Sequence, residues 1–344
     1  MCTFKNKIAI FALKIVIYDH NEAMEERIEE RDPLSVFADM LGTTVNDGKV
    51  IVPAEKGSGY FKGIMLDNFA GLLFFNYHLN DSLIYQQHHQ DEEVPERLEK
   101  YPYLLFQFRG CLADDSLSIN QRAVQISTMS INMEEDVISG KDRADLFITI
   151  NSNHLVQKIP NYNESPLLKS ILFNERPLFF ERSISKQIQS LITEIKECNV
   201  PSCFLPYFLS TKVDELICRL LISLTERSEQ TTYPIHPNDL KKIYFVRDTI
   251  LSSLHVPPVI RNLAKEACMS ETKLKRLFKQ VFGDSIFHYY EIRRIQKAAE
   301  LLKVGTRTVS DVGYTLGFTN LSHFSRIFER VIGMKPKAYC KLHH

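Results

Sequence analysis

From about Val50 to Ile150 the apolar positions come in short runs, Ile64–Leu66, Leu72–Tyr77, Tyr103–Phe108 and Leu146–Ile150, with Gly, Asn and Asp clusters between them. Leu104, Phe106 and Phe108 alternate with Leu105, Gln107 and Arg109, which is the period of a strand. Gly57-Ser58-Gly59 and Asn80-Asp81 carry turn chemistry. Several short strands at this spacing predict a barrel or sandwich over roughly residues 45–180. The period then lengthens. Ile184, Ile188, Leu191, Ile192 and Ile195 predict an amphipathic helix over 183–198, and Leu205, Leu209, Val213, Leu216, Leu220 and Leu224 predict a second over about 203–226. Phe208, Ile217 and Leu221 widen the second stripe, a surplus that either a dimer interface or further intramolecular packing uses. Arg227–Pro237 is rich in Ser, Thr, Gln and Pro and has no period. The pattern therefore predicts an N-terminal domain over 1–227, a linker over 228–241 and a C-terminal domain over 242–344.

The C-terminal pattern is a repeat. After Pro257-Pro258, a proline pair that suits a helix start, Val259, Leu263 and Ala267 share one face of a short helix. Cys268-Met269 interrupts it, and Ser270 can cap a second helix. There Leu274, Leu277, Phe278 and Val281 share a face, and Gly283 supplies a stop. Two short helices across a tight turn make a helix-turn-helix, with the small Ala264 at the crossing. Fifty residues on, Phe324, Arg326, Phe328, Val331 and Gly333 answer Leu274, Arg276, Phe278, Val281 and Gly283. In the first helix the offset is forty-nine, with Gly313 answering Ala264, so the second turn holds one extra residue. Thr308 and Asn320 are the matching caps, and Gly317 ends the first helix of the second pair. Between the pairs, 285–303 reads as one helix, a connector of about 28 Å at ~1.5 Å per residue. That length is comparable to the ~34 Å between successive major-groove faces of B-DNA. Two copies are too few for a stable solenoid.

Charge sharpens this picture. The chain of 344 residues is formally neutral, yet Lys241–His344 carries 19 Lys and Arg against 8 Asp and Glu, leaving 23 basic against 34 acidic residues before it. An acidic module fused to a basic one points to a polyanion as partner of the second. The outward positions of the first recognition helix are Glu271, Thr272, Lys273, Lys275, Arg276 and Lys279, and Lys273 and Lys279 suit phosphates. On the second helix, Ser322, His323 and Arg326 occupy the corresponding surface, and the acidic Glu329 is ill suited to a DNA backbone.

The stretch Val309–Tyr339 resembles the signature of the AraC/XylS family of transcriptional regulators. In that family a Gly-Phe pair, here Gly317-Phe318, precedes the second recognition helix. An F-x-R-x-F pattern (Phe324, Arg326, Phe328) and a G-x-x-P-x-x-Y ending (Gly333, Pro336, Tyr339) follow. Residues 270–290 resemble the pyochelin-regulator branch, as does the turn-rich stretch at 57–64. Two residues depart from the pattern: Gly313 replaces the usual Ala, a cost of ~1 kcal/mol by helix propensity, and Cys340 stands where a basic residue often follows the Tyr. The resemblance implies an α+β chain with an N-terminal cupin-like β-barrel and two dimerising helices, followed by an all-α double helix-turn-helix domain. It implies that Thr272, Lys275 and Arg276 read base edges, Arg by pairing with guanine O6 and N7. Double-stranded DNA, RNA polymerase and a small-molecule effector, a siderophore complex in that branch, are the implied partners, with a homodimer as the assembly.

Other classes fit less well. A metal-dependent cupin oxygenase needs clustered His and carboxylate ligands, but His78, His88, His89 and His154 show no H-x-H spacing on a strand. His88-His89, followed by Gln90-Asp91-Glu92-Glu93, reads as a solvated loop. The expectation is a chain that is not an enzyme, with no metal or cofactor. An architectural DNA-binding protein without an effector would use the same C-terminal features. Seven scattered cysteines without a C-x-x-C fit reduced thiols in a cytoplasmic protein. The segment Lys5–Tyr18 resembles a short signal sequence, but Lys14 interrupts its apolar run and no small-residue cleavage site follows. It is read instead as a first strand or an overextended start.

Overall fold

The computed structural model describes residues 33–66, 69–80, 103–113, 122–128, 142–173, 177–226 and 232–343. Lys5–Tyr18, Asp81 and the His88-His89 segment lie outside the described residues. The chain divides after Pro234 into two compact units. Part of the stretch expected as linker is helical, because Pro237 begins α6 (Pro237–Ser252), whose N-terminus is capped by His236 Nδ1 accepting from the Asn238 amide at 3.2 Å. A proline reads alike in a linker and at the first position of a helix, so composition alone does not mark where the helix begins.

In the first unit, helix α1 (Pro33–Leu41) precedes strands β1 (Lys49–Ile51), β2 (Gly57–Leu66), β3 (Ala70–Leu79), β4 (Tyr103–Arg109), β5 (Ala123–Thr128) and β6 (Arg143–Asn151). Helices α2 (Ser152–Lys158) and α3 (Pro166–Phe173), strand β7 (Phe179–Ser183) and helices α4 (Lys186–Lys196) and α5 (Leu205–Thr225) follow. The strands form one antiparallel sheet in the order β1-β2-β3-β6-β4-β5-β7. The expected cupin-like barrel does not close: among the described residues β1 pairs only with β2 and β7 only with β5. Both edge strands are short, three residues in β1 and five in β7, and helices pack on the sheet.

Register explains how the sheet is covered. Ile64, Leu72, Ile148, Phe106, Ile126 and Phe180 are paired in one row across six strands, so they share a face. Ile188, Leu191, Ile192 and Ile195 of α4 and Leu209, Val213, Leu216 and Leu220 of α5 complete the core on that face. The opposite residues of β3, Leu73, Phe75, Tyr77 and Leu79, pack with Phe61, Val50 and the α1 residues Leu34, Phe37 and Leu41. Burial on both faces is why β3 reads as a continuous apolar run and not as an alternation. The surplus on α5 is consumed within the unit, since Ile217 and Leu221 are buried in the same core and Phe208 packs against it. Burying a Leu or Ile side chain stabilises by roughly 1.5–3 kcal/mol, enough to settle the use of that stripe.

The second unit is all-α. After α6 come α7 (Ile260–Glu266), α8 (Glu271–Phe282), α9 (Ile286–Val304), α10 (Val309–Thr315), α11 (Leu321–Ile332) and α12 (Pro336–His343). The expected caps are present: Ser270 accepts from the Lys273 amide, and Asn320 from the Ser322 and His323 amides. Thr308 and Asp311 form a reciprocal capping box. These Thr308 hydrogen bonds also hold the Asp311 carboxyl below the ordinary range. Gly283 and Gly333 end α8 and α11 in the left-handed conformation. No helix among the described residues is long and apolar enough to cross a membrane.

Candidate nucleic-acid interface

The α7–α8 and α10–α11 pairs repeat each other down to their backbone hydrogen bonds. Met269 N donates to Ala264 O at 2.9 Å, and Phe318 N to Gly313 O at 2.9 Å. Cys268 N donates to Lys265 O, and Gly317 N to Tyr314 O. All four partners are offset by forty-nine, whereas the caps Ser270 and Asn320 are offset by fifty. The extra residue of the second turn is therefore Thr319.

Each turn has a residue in the left-handed region at the same place, Cys268 at φ 49° and Gly317 at φ 78°. The second position needs glycine for space as well, because a Cβ on Gly317 would lie 2.2 Å from His255 O. The helix crossings also differ. A Cβ on Gly313 would lie 2.7 Å from Leu321 Cδ2. Leu321 corresponds to Glu271 in the first pair, so the departure of Gly313 from the family's Ala accompanies a leucine that takes the space.

On α8, Leu274, Leu277, Phe278, Val281 and Phe282 are buried. Thr272, Lys275, Arg276 and Lys279 are exposed on one side, at the i, i+3, i+4 and i+7 positions of a single face. Lys275 pairs with Glu271 at 3.5 Å. Lys273 stands apart: its Nζ lies 2.8 Å from each carboxylate oxygen of Asp239 on α6. On α11, Phe324, Ile327 and Phe328 are buried, and Ser322, His323, Arg326, Glu329 and Arg330 are exposed. Arg330 reaches Glu291 on α9. All eight sequence-derived candidates thus lie on the two second helices, seven of them exposed and Lys273 half-buried in an ion pair.

Sequence reasoning missed the residue that fixes the second turn. Arg294 of α9 is buried, donates from Nε to Leu316 O at 2.6 Å, and places its guanidinium 3.6 Å from the centre of the Phe318 ring. Burial lowers its pKa from the usual guanidinium value. A signal was available, since Arg294 shares the buried stripe of α9 with Tyr290 and Ala298. The first turn has a weaker counterpart in Lys242, whose Nζ donates to Cys268 O at 3.3 Å.

Comparison with known proteins places this unit. A helix-turn-helix domain model matches residues 263–341. The chain is similar to the HTH-type transcriptional activator RhaR of Mannheimia succiniciproducens, with 24% identity over 185 residues, covering 53% of this chain and 60% of that protein. It is also similar to the Arabinose operon regulatory protein of Escherichia coli, with 27% identity over 125 residues, 36% of this chain and 42% of that one. The chain thus spans about half the length of these curated relatives. Among solved structures, a transcriptional regulator with an AraC-type DNA-binding domain from Chromobacterium violaceum matches at 22% identity and a TM-score of 0.30, over 31% of this chain and 96% of that one. With two helix pairs in a shared register and the match of the domain model beside them, the C-terminal unit is a helix-turn-helix domain, similar in sequence to those transcriptional regulators.

Proposed function

We propose that this chain is a transcriptional regulator that binds duplex DNA sequence-specifically through α8 and α11, under the control of a small molecule sensed by the N-terminal unit. The observation that carries the reading is the pair of capped recognition helices, each with a buried apolar side and an exposed polar one, in a basic unit. Thr272, Lys275 and Arg276 on α8 and Ser322, His323 and Arg326 on α11 read base edges, and Lys279 meets a phosphate. Selection of bound duplexes from a random pool tests this: enrichment of two short elements roughly ten base pairs apart is expected, and recovery of unenriched sequence would refute it.

The activators among its relatives favour activation through contact with RNA polymerase. For the effector, the pyochelin-regulator resemblance points to a siderophore complex, whereas the arabinose operon relative points to a sugar. A row of buried polar side chains on the sheet favours the latter kind of ligand. Gln107 Nε2 donates to Asp145 at 3.4 Å and Gln125 Nε2 to Glu181 at 2.9 Å, which suits a hydrogen-bonding molecule. Thermal shifts with a panel of monosaccharides and ferric siderophores separate the two, and stabilisation by the siderophores alone would overturn the sugar reading. A homodimer would use the exposed side of α5, where Tyr207, Cys218 and Ile222 lie.

A further inference from the structure

Lys273 borders the exposed face of α8 without belonging to it. Thr272, Lys275, Arg276 and Lys279 point one way, while Lys273 sits one step round the helix, toward α6. There its ammonium is held by both carboxylate oxygens of Asp239, each at 2.8 Å. The Asp239 side chain is 18% exposed and that of Lys273 42%, so the pair is shielded mainly on the acid's side. A cation in the first turn of a helix opposes the helix dipole, and a nearby anion offsets that. Asp239 also lies in the first turn of its own helix, where a negative charge is favoured.

A duplex docked on α8 brings its phosphates to the lysines that flank the reading face. Each phosphate a lysine neutralises adds affinity for every sequence alike. Lys273 stands at that flank with its counter-charge already supplied. We infer that Asp239 is a specificity-determining residue: by holding Lys273 it withholds one phosphate contact and lowers affinity for random DNA. Base-reading side chains then decide where the protein stays. This rests on the DNA-binding reading above.

The test is fluorescence anisotropy of the full chain on a random-sequence duplex across a salt series. Asp239→Asn frees the ammonium, so binding tightens roughly three- to tenfold near physiological salt and the salt slope steepens by about 0.9. The Asp239→Asn/Lys273→Gln double variant loses that gain. Unchanged or weaker binding by Asp239→Asn, with wild-type melting, overturns the inference and reduces the pair to a strut between α6 and α8. A second measurement needs no substitution. On adding the duplex, Lys279 is protected from amine acylation while Lys273 keeps its reactivity, and equal protection of the two overturns the inference. Failure of the unsubstituted chain to bind any duplex would instead remove the DNA-binding reading and this inference with it.

Discussion

The two helix-turn-helix pairs share a hydrogen-bond register but are held in place with unequal strength. Both turns are tied to the preceding long helix by a basic side chain that donates to a turn carbonyl. In the first pair this is Lys242, partly exposed, at 3.3 Å from Cys268 O. In the second it is Arg294, buried, at 2.6 Å from Leu316 O and stacked on Phe318. The left-handed turn residue follows the same trend, a strained cysteine in the first pair and a glycine in the second. The second turn is thus tied by the closer and more buried contact, the first by the longer and more exposed one. The charges are unequal too, because exposed Lys279 of α8 is answered by exposed Glu329 of α11. Helix α8, which follows the less tightly tied turn, thus carries more of the positive charge than α11.

The largest effect is expected at Gly317. Gly317→Ala combines left-handed strain with a Cβ 2.2 Å from His255 O, and should cost about 3 kcal/mol in urea unfolding of the C-terminal unit. A cost below that of Cys268→Ala would break the comparison. Next, Arg294→Leu leaves Leu316 O without its donor and removes the stacked guanidinium, for about 2 kcal/mol. Lys242→Met, at a more exposed contact, should cost under ~1 kcal/mol in the same assay, and equal costs would contradict the asymmetry. Cys268→Gly should stabilise by about 1 kcal/mol, read as a rise in melting temperature, because it relieves the positive φ. The remaining effects are on DNA binding and leave stability unchanged. Arg276→Ala should relax preference at one base position, by ~1–3 kcal/mol of discrimination. Lys279→Ala should weaken all sequences alike and lower the salt slope by about one, which Glu329→Ala should not do. Equal loss on specific and random duplexes for Arg276→Ala would count against base reading.

What was legible in the sequence was local. Ser270, Thr308 and Asn320 announced themselves as caps because a cap needs only its own side chain and an amide two or three residues on. The strands and the alternation of Leu104, Phe106 and Phe108 were legible for the same reason. Barrel closure was not, since it depends on whether the edge strands β1 and β7 pair with each other across the length of the unit, and among the described residues they do not. The fate of Ile217 and Leu221 likewise depended on tertiary packing and not on helical period. Lys273 shows the limit within the site: its spacing marks it as outward, but its partner Asp239 lies 34 positions earlier in the chain. Arg294 was hidden because a charged side chain on a buried stripe looks like an interruption until its acceptor is seen.

The position of Thr319 sets where the two halves can be recombined. Each directly after its turn, the segments Ser270–Gly283 and Asn320–Gly333 run from cap to left-handed glycine with equal length. They form a pair of cassettes whose ends obey the same local rules. A chimera joined at the caps would exchange one reading surface for the other and keep each turn intact. A join inside the turn would add or delete a residue, and so would shift the second helix of the pair against the first.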